Sequence, residues 1–174
     1  MKAILKSMSV KGIKNIEKQV TINFSKSTLK SSKNCTEHNI KAIYGPNGSG
    51  KTAIVHAFKL LQDIVFTSNF LHNNNNKAYL AELLNKKCQS IDLVMDLYHF
   101  KDEKRYLLSY AISIEKVNDS FKIKRESYTM APDSSSKDTQ LFKSENGVSV
   151  ISEFPNFVND KFYNQLDKRS FLEI

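Results

Sequence analysis

Residues 45–52 constrain the fold of this chain more strongly than any other segment. They read GPNGSGKT, which fits the phosphate-binding pattern G-x-x-x-x-G-K-[ST]. Such a loop turns consecutive backbone N–H groups inward, and glycine tolerates the backbone angles and close approaches that this requires. The pattern predicts a strand before the loop and a helix after it, because the free N–H groups at the start of a helix complete the anion site.

The sequence on both sides of the loop agrees with this expectation. Residues 40–44 (IKAIY) predict a short strand, and apolar residues at helical spacing predict a helix over 51–66, so 40–66 is expected to form strand, loop and helix. Lys51 would bridge the β and γ phosphates of a nucleotide as the catalytic cation, and Thr52 would offer its hydroxyl to Mg²⁺. The predicted nucleotide-binding residues are Gly45, Pro46, Asn47, Gly48, Ser49, Gly50, Lys51 and Thr52.

The N-terminal segment 1–24 predicts a β hairpin. Apolar residues alternate with polar ones over 3–10 and again over 19–24, which is typical of half-buried strands. The turn of this hairpin is expected within residues 12–18.

The rest of the chain predicts loops, two helices and a series of strands. Residues 25–39 and the four asparagines 73–76 carry no apolar pattern and predict loops, whereas 77–87 predict a short helix. Alternation over 90–152, with short polar connections, predicts an antiparallel β meander. A last helix is expected over 156–169.

Composition excludes several classes of protein. Hydrophobic residues make up 40% of the chain and charged residues 25%, as in globular proteins. Cys35 and Cys88 have no CxxC or Cys/His spacing, which excludes a disulfide scaffold and a zinc finger. The most apolar stretch, 53–66, contains charged residues, and the N-terminus has scattered lysines in place of an apolar signal sequence. We therefore expect a cytoplasmic protein with no membrane partner.

The positive charge is concentrated at one end of the sequence. The net charge is +8, and the first fifty residues hold nine lysines against Glu17 and Glu37. A basic block beside a phosphate site attracts a nucleotide or a DNA backbone through long-range electrostatics. A solvated, lysine-rich surface accounts for the same pattern and is the more ordinary interpretation.

Three segments resemble a known family. GPNGSGKT resembles the Walker A motif of ABC-type ATPases, above all that of the SMC, RecF and OLD-nuclease branch. Val10–Ser25 is similar to the opening strands of that branch, with Gly12, Ile13 and Lys14 where Asn, Phe and Arg are usual. Lys14 therefore becomes a candidate nucleotide-binding cation. Residues 91–130 are similar to the antiparallel subdomain of bacterial AAA-like ATP-binding proteins, many of which belong to anti-phage or abortive-infection systems.

The resemblance, which covers nearly all of 1–174, implies an α/β fold with a mixed sheet. The chain would be the N-terminal lobe of a P-loop ATPase with an antiparallel β subdomain and an incomplete C-terminal lobe. A strand in these proteins ends in an acidic residue and a tyrosine before a loop, here Glu126 and Tyr128. ATP and Mg²⁺ are the implied ligands. The implied partners are a head-to-tail second copy or a second chain with the missing motifs, together with DNA or an effector nuclease or toxin.

Three motifs that family members carry further along do not occur in these 174 residues: an LSGG-like signature, a Walker B strand ending in Asp-Glu, and a switch histidine. The nearest Walker B imitation is Leu93–Asp96, but a leucine follows it and the alternation predicts Asp96 on the solvent side of a strand. Gln140 and Gln165 are the candidates for the Q-loop glutamine. His56 is predicted to be packed or half-exposed on the helix after the loop.

Three functions remain open from the sequence. The first is Mg-ATP binding within an ABC-type ATPase that drives a DNA-related or phage-defence effector, with little hydrolysis by this chain alone because hydrolysis needs a carboxylate to orient water. The second is a nucleotide-binding remnant or split subunit that another chain completes. The third is a small P-loop kinase, which the strand order disfavours. The guanine-reading motif N-K-x-D does not occur, which favours ATP.

Overall fold

The computed structural model describes residues 2–25, 41–67, 69–101, 104–132, 139–146 and 148–151. These residues form a sheet with helices packed on one face. The strands are β1 (Lys2–Lys11), β2 (Val20–Asn23), β3 (Ser90–Lys101), β4 (Lys104–Val117), β5 (Ser120–Pro132), β6 (Thr139–Glu145) and β7 (Val148–Ile151). The helices are α1 (Lys51–Phe66) and α2 (Asn74–Leu83), with a short 3₁₀ turn at Phe70–His72 between them.

The seven strands lie in the order β2-β1-β3-β4-β5-β6-β7, and every neighbouring pair is antiparallel. The hairpin predicted in 1–24 is present as β1 and β2, and the meander predicted over 90–152 is present as β3 to β7. β1 joins the two parts because it pairs with β2 on one side and with β3 on the other. Met8 lies opposite Met95 in that second pair.

Alternation along the central strands gives the sheet an apolar face. Ile91 and Leu93 on β3 pair with Ile114 and Ile112 on β4, and all four are buried. The same hydrophobic cluster includes residues from both helices: Ala53, Ile54, Ala57, Leu60, Leu61, Ile64, Leu80 and Leu83. Burial of this apolar surface, at about 25 cal/mol per Å², is the main stabilising contribution to the fold.

The opposite face of the sheet is polar and is held by side-chain hydrogen bonds between strands. Asp96 accepts hydrogen bonds from the hydroxyls of Ser7 and Ser109, both at 2.7 Å. Asp92 accepts one from Ser113 at 2.5 Å. Asp96 thus lies on the polar face and is half-buried, where its carboxylate links three neighbouring strands. This position agrees with the alternation and not with a Walker B carboxylate.

The strand predicted over 40–44 is wrong for its described residues. Residues 41–46 have no regular secondary structure, and the side chain of Tyr44 is 91% exposed. A strand is stable when a neighbouring strand takes up its backbone hydrogen bonds, and within the described ranges no strand pairs with this segment. The predicted mixed sheet is accordingly replaced, in that part of the chain, by a purely antiparallel one.

The predictions for the asparagine run and for the helix over 77–87 are wrong in their boundaries. α2 begins at Asn74 because the side chain of Asn73 accepts a hydrogen bond from the Asn75 N–H at 3.0 Å and caps the helix. The side chain of Asn76 donates to the carbonyl of Phe70 at 3.0 Å. α2 ends at Leu83, and the following residues form a turn in which Asn85 accepts from the Lys87 N–H. Asparagine therefore starts a helix here because its short side chain satisfies a free N–H group.

Several predicted features lie outside the described residues. They are the loop over 25–39 apart from its first residue, the helix over 156–169, Cys35 and Gln165. The helix predicted over 51–66 is confirmed with those bounds. Among the residues that are described, neither helix has the length and the apolar character needed to span a bilayer.

A substitution at Leu60 tests how much the packing of α1 against the sheet contributes to stability. Its side chain is fully buried, so Leu60→Ala is expected to lower the free energy of unfolding by about 2–5 kcal/mol. Val55 lies on the same helix with 65% of its surface exposed, and Val55→Ala is expected to change that free energy by less than about 0.5 kcal/mol. Urea unfolding followed by circular dichroism measures both; equal losses would contradict the assignment of the buried face.

Candidate functional site

The loop over 45–50 and the first turn of α1 form the candidate site. Residues 41–49 are exposed and Gly50 is buried, so the loop stands at the surface with its C-terminal end anchored. α1 begins at Lys51, and no side chain caps its N-terminus. The first N–H groups of a helix point outward along its axis and carry partial positive charge. The loop therefore presents these groups at an accessible surface, as an anion-binding site requires.

Glycine is required by the shape of the loop at Gly50. Its φ angle is +96°, and Gly48 has a φ of +81°, both in the left-handed region. A Cβ atom on Gly50 would lie 3.3 Å from Cγ1 of Ile16, which is closer than most real contacts. The loop thus packs its backbone directly against the turn that follows β1. Glycine at these two positions leaves the backbone N–H groups without side chains in the way, which a phosphate-binding loop needs.

The side chain of Lys51 folds back onto the first residues of the loop. Its ammonium donates hydrogen bonds to the carbonyl oxygens of Gly45 at 2.6 Å and Pro46 at 2.8 Å. These neutral acceptors hold the cation beside the loop without cancelling its charge. An incoming phosphate, which carries negative charge, would form stronger bonds to the same ammonium. Thr52 follows at the start of the helix and is exposed, so its hydroxyl is accessible.

The turn between β1 and β2 supports the loop from one side. The side-chain amide of Asn15 donates a hydrogen bond to the carbonyl of Gly48. Ile16, which is 7% exposed, lies under Gly50. Within the loop, the Ser49 N–H donates to the Pro46 carbonyl at 3.2 Å. Asn15 and Ile16 therefore connect a surface loop to the edge of the sheet.

A sequence model described as an AAA domain matches residues 7–172, nearly the whole chain. The chain belongs to the AAA domain family. The proteins of this family are nucleotide-binding P-loop ATPases. The curated proteins contain no match to the chain.

Lys14 of this AAA domain lies beside the loop, but its ammonium contacts the helices. Lys14 Nζ donates to Nε2 of His56 at 3.1 Å and lies 3.8 Å from a carboxylate oxygen of Glu82. Its backbone has a φ of +49°, and the neighbouring elements hold it on both sides. The Lys14 N–H donates to the Leu83 carbonyl at 2.6 Å, and the Asn85 side chain donates to the Lys14 carbonyl at 2.5 Å. Its role as a nucleotide-binding cation stays a prediction.

His56 is half-buried, as the sequence predicts, and lies in a polar cluster between α1 and α2. Because Lys14 donates to Nε2, the proton of a neutral His56 ring resides on Nδ1, which is buried without a hydrogen-bond partner in the described structure. The ring lies 6.4 Å from that of Tyr79. Burial raises the pKa of Tyr79, and the carboxylates of Asp63 and Glu82 raise it further. These contacts join α1, α2 and the turn after β1 to one another.

Other residues singled out in the sequence lie away from this site. Glu126 and Tyr128 lie within β5 and not at the end of a strand as the resemblance implied. Glu126 is 2% exposed and accepts a hydrogen bond from the Tyr110 hydroxyl at 2.5 Å, and burial raises the pKa of Tyr128. Gln140 belongs to β6, where its backbone pairs with Thr129. Glu126 is therefore a buried polar residue of the sheet, hydrogen-bonded to Tyr110 on the neighbouring strand.

Asn15 is the site residue that sequence reasoning missed. Its contact joins positions 33 residues apart in the chain. The sequence places Asn15 in a turn between two strands, which suffices to explain an asparagine. Its proximity to the loop depends on how β1 and α1 pack, which no local pattern specifies.

Gly12 tests the turn that carries Asn15. Its φ is +78°, and a Cβ atom there would lie 2.0 Å from the Ser90 carbonyl oxygen, so Gly12→Ala is expected to lower the free energy of unfolding by about 3 kcal/mol or more. Gly48→Ala is the matched control: its φ is similar but no atom lies within 4 Å, so a cost of about 1–2 kcal/mol is expected. Urea unfolding measures both. A loss no larger for Gly12→Ala than for Gly48→Ala would show that the close approach to Ser90 contributes nothing.

Proposed function

We propose that this chain binds Mg-ATP at the loop 45–52, as a Walker A site of the ABC type. The observation that carries the proposal is Lys51, whose ammonium lies between the Gly45 and Pro46 carbonyls at the uncapped start of α1. In this proposal the loop N–H groups hold the phosphates, Lys51 contacts the β and γ phosphates, and the Thr52 hydroxyl is a ligand of Mg²⁺. Mg²⁺ would neutralise phosphate charge when bound.

Removing the ammonium of Lys51 tests this directly. Lys51→Ala is expected to weaken ATP binding about 10- to 100-fold, because charge-assisted hydrogen bonds contribute about 1.5–3 kcal/mol. Lys59→Ala is the control, since Lys59 is on the same helix and pairs with Asp63 at 3.2 Å on an exposed surface. Isothermal titration of the 174-residue chain with Mg-ATP measures both variants. Equal affinities for the wild type and Lys51→Ala would contradict the proposal.

We further propose that a second lobe or a second chain completes the ATPase. Three exposed, large apolar side chains beside the loop and along α1 support this: Tyr44 directly precedes the loop and is 91% exposed, and on α1 Val55 is 65% and Phe66 80% exposed. Val55 and Phe66 are eleven residues apart on α1, about three turns, so they share one face of the helix. A partner that buries these apolar side chains would stabilise the complex through the hydrophobic effect. This partner would be a second copy of the chain paired head to tail, or a separate chain that carries the signature and Walker B motifs.

If a second lobe or chain supplies the catalytic carboxylate, residues 1–174 alone are expected to hydrolyse ATP slowly. Phosphoryl transfer to water needs a group that orients the water, and no run of apolar residues in the sequence ends directly in Asp-Glu as a Walker B strand does. The purified 174-residue chain is therefore expected to bind ATP with turnover close to the background of a Lys51→Ala preparation. Phosphate release measured over hours checks this. A robust rate that Lys51→Ala abolishes would refute it.

The resemblance to the SMC, RecF and OLD-nuclease branch supports a finer proposal about the cellular role. ATP-dependent closing of two such heads would act on DNA or on an effector nuclease or toxin of an anti-phage system. The nine lysines among the first fifty residues are compatible with a DNA backbone as partner.

A further inference from the structure

We infer that Asn15 is a positioning residue that fixes the phosphate-binding conformation of the loop through the carbonyl of Gly48. This role rests on the proposed nucleotide site and deepens it. Asn15 itself is exposed and its amide donates to that carbonyl. Asn15 contacts the backbone of the loop and not the ligand itself, so its effect on ligand binding is exerted through the conformation of the loop.

Neither its conformation nor side-chain packing restrains the backbone of Gly48. With a φ of +81° it occupies a backbone region that is readily available to glycine. No described atom lies within 4 Å of the place where its Cβ would be, so side-chain packing does not restrain it. Its neighbours 41–49 are all exposed. A glycine in such surroundings exchanges between conformations unless a hydrogen bond holds its peptide group.

Asn15 provides that hydrogen bond, and the peptide plane transmits its effect. The carbonyl of Gly48 and the N–H of Ser49 belong to one planar trans peptide group and point in opposite directions. With the carbonyl held toward Asn15, the Ser49 N–H points away from it, toward the Pro46 carbonyl at 3.2 Å. Pro46 is also an acceptor for Lys51, so this N–H lies on the same side as the ammonium. A phosphate oxygen bound there would replace a long hydrogen bond with a charge-assisted one.

The turn that presents Asn15 is held by backbone hydrogen bonds. The Gly12 N–H donates to the Ile16 carbonyl at 2.9 Å, and the Ile16 N–H donates to the Ile13 carbonyl at 2.8 Å. The backbone of Lys14 is hydrogen-bonded on both sides to the end of α2. Asn15 thus projects from a hydrogen-bonded turn toward Gly48, the loop residue that side-chain packing does not restrain, and this is how a supporting shell preorganises a binding site.

The test compares Asn15→Ala, Asn15→Asp and Asn15→Gln in the 174-residue chain, with Gln19→Ala as the matched control. Gln19 is an exposed residue of the same connection between β1 and β2. The first measurement is the ¹⁵N order parameter of Gly48 and Ser49 without nucleotide. We expect about 0.85 in the wild type, Gln19→Ala and Asn15→Gln, which keeps the donor, and below about 0.6 in Asn15→Ala. The thermal midpoint of all variants is expected to stay unchanged.

The second measurement is affinity for Mg-ATP and for inorganic tripolyphosphate, which contacts the loop without a nucleoside. Asn15→Ala is expected to weaken both by the same factor, about three- to tenfold, because the loop loses its preorganisation. Asn15→Asp has the shape of asparagine but cannot donate and adds a negative charge, so a loss beyond about tenfold is expected. Gln19→Ala is expected to bind both ligands as tightly as the wild type.

The outcomes separate the two proposals. If the wild type binds both ligands while Asn15→Ala retains a rigid loop and full affinity, the positioning role is overturned and the nucleotide site stands. If Asn15→Ala weakens ATP binding and leaves tripolyphosphate unaffected, Asn15 contacts the nucleoside and the inference is also overturned. If the wild type binds neither ligand, the proposed function fails and the positioning role fails with it.

Discussion

The close approach of Gly12 to Ser90 is the constraint on which the rest of the described structure depends. A Cβ atom at position 12 would lie 2.0 Å from the Ser90 carbonyl oxygen, so the turn after β1 sits directly against the start of β3. The Asn85 N–H donates to the Gly12 carbonyl at 2.9 Å, which brings the end of α2 to the same point. The hairpin, the end of α2 and the meander therefore meet at one residue that has no side chain.

This junction also determines where the phosphate-binding loop lies. The turn that starts at Gly12 places Ile16 beneath Gly50 and Asn15 beside Gly48. The loop is exposed and contributes little packing of its own, whereas α1 behind it is anchored by a buried face. Such a division is common in binding sites, because a rigid scaffold can position a loop whose backbone must remain accessible to a ligand.

The two faces of the sheet stabilise the structure in different ways. The apolar face binds the helices and stabilises the domain by burial. The polar face joins neighbouring strands through Asp92 and Asp96, whose carboxylates accept hydrogen bonds from serines on adjacent strands. Charge-assisted hydrogen bonds of this kind fix the register of strands that apolar contacts alone would hold less specifically. Acidic residues that resemble catalytic groups in the sequence thus have a structural role here.

The sequence by itself determined the loop, the helix after it and the strands of the hairpin and meander. These features depend on local chemistry: glycines where the backbone must turn, apolar residues at a period of 3.6 or 2, and polar residues at connections. Tertiary structure decided that residues 41–46 pair with no described strand, that Asn73 caps α2, and that Asn15 reaches Gly48. Each of these features depends on which hydrogen-bonding group of the folded chain lies nearby. A period in the sequence specifies which face of an element is apolar, but it does not specify which atoms a polar side chain or an unpaired strand will meet.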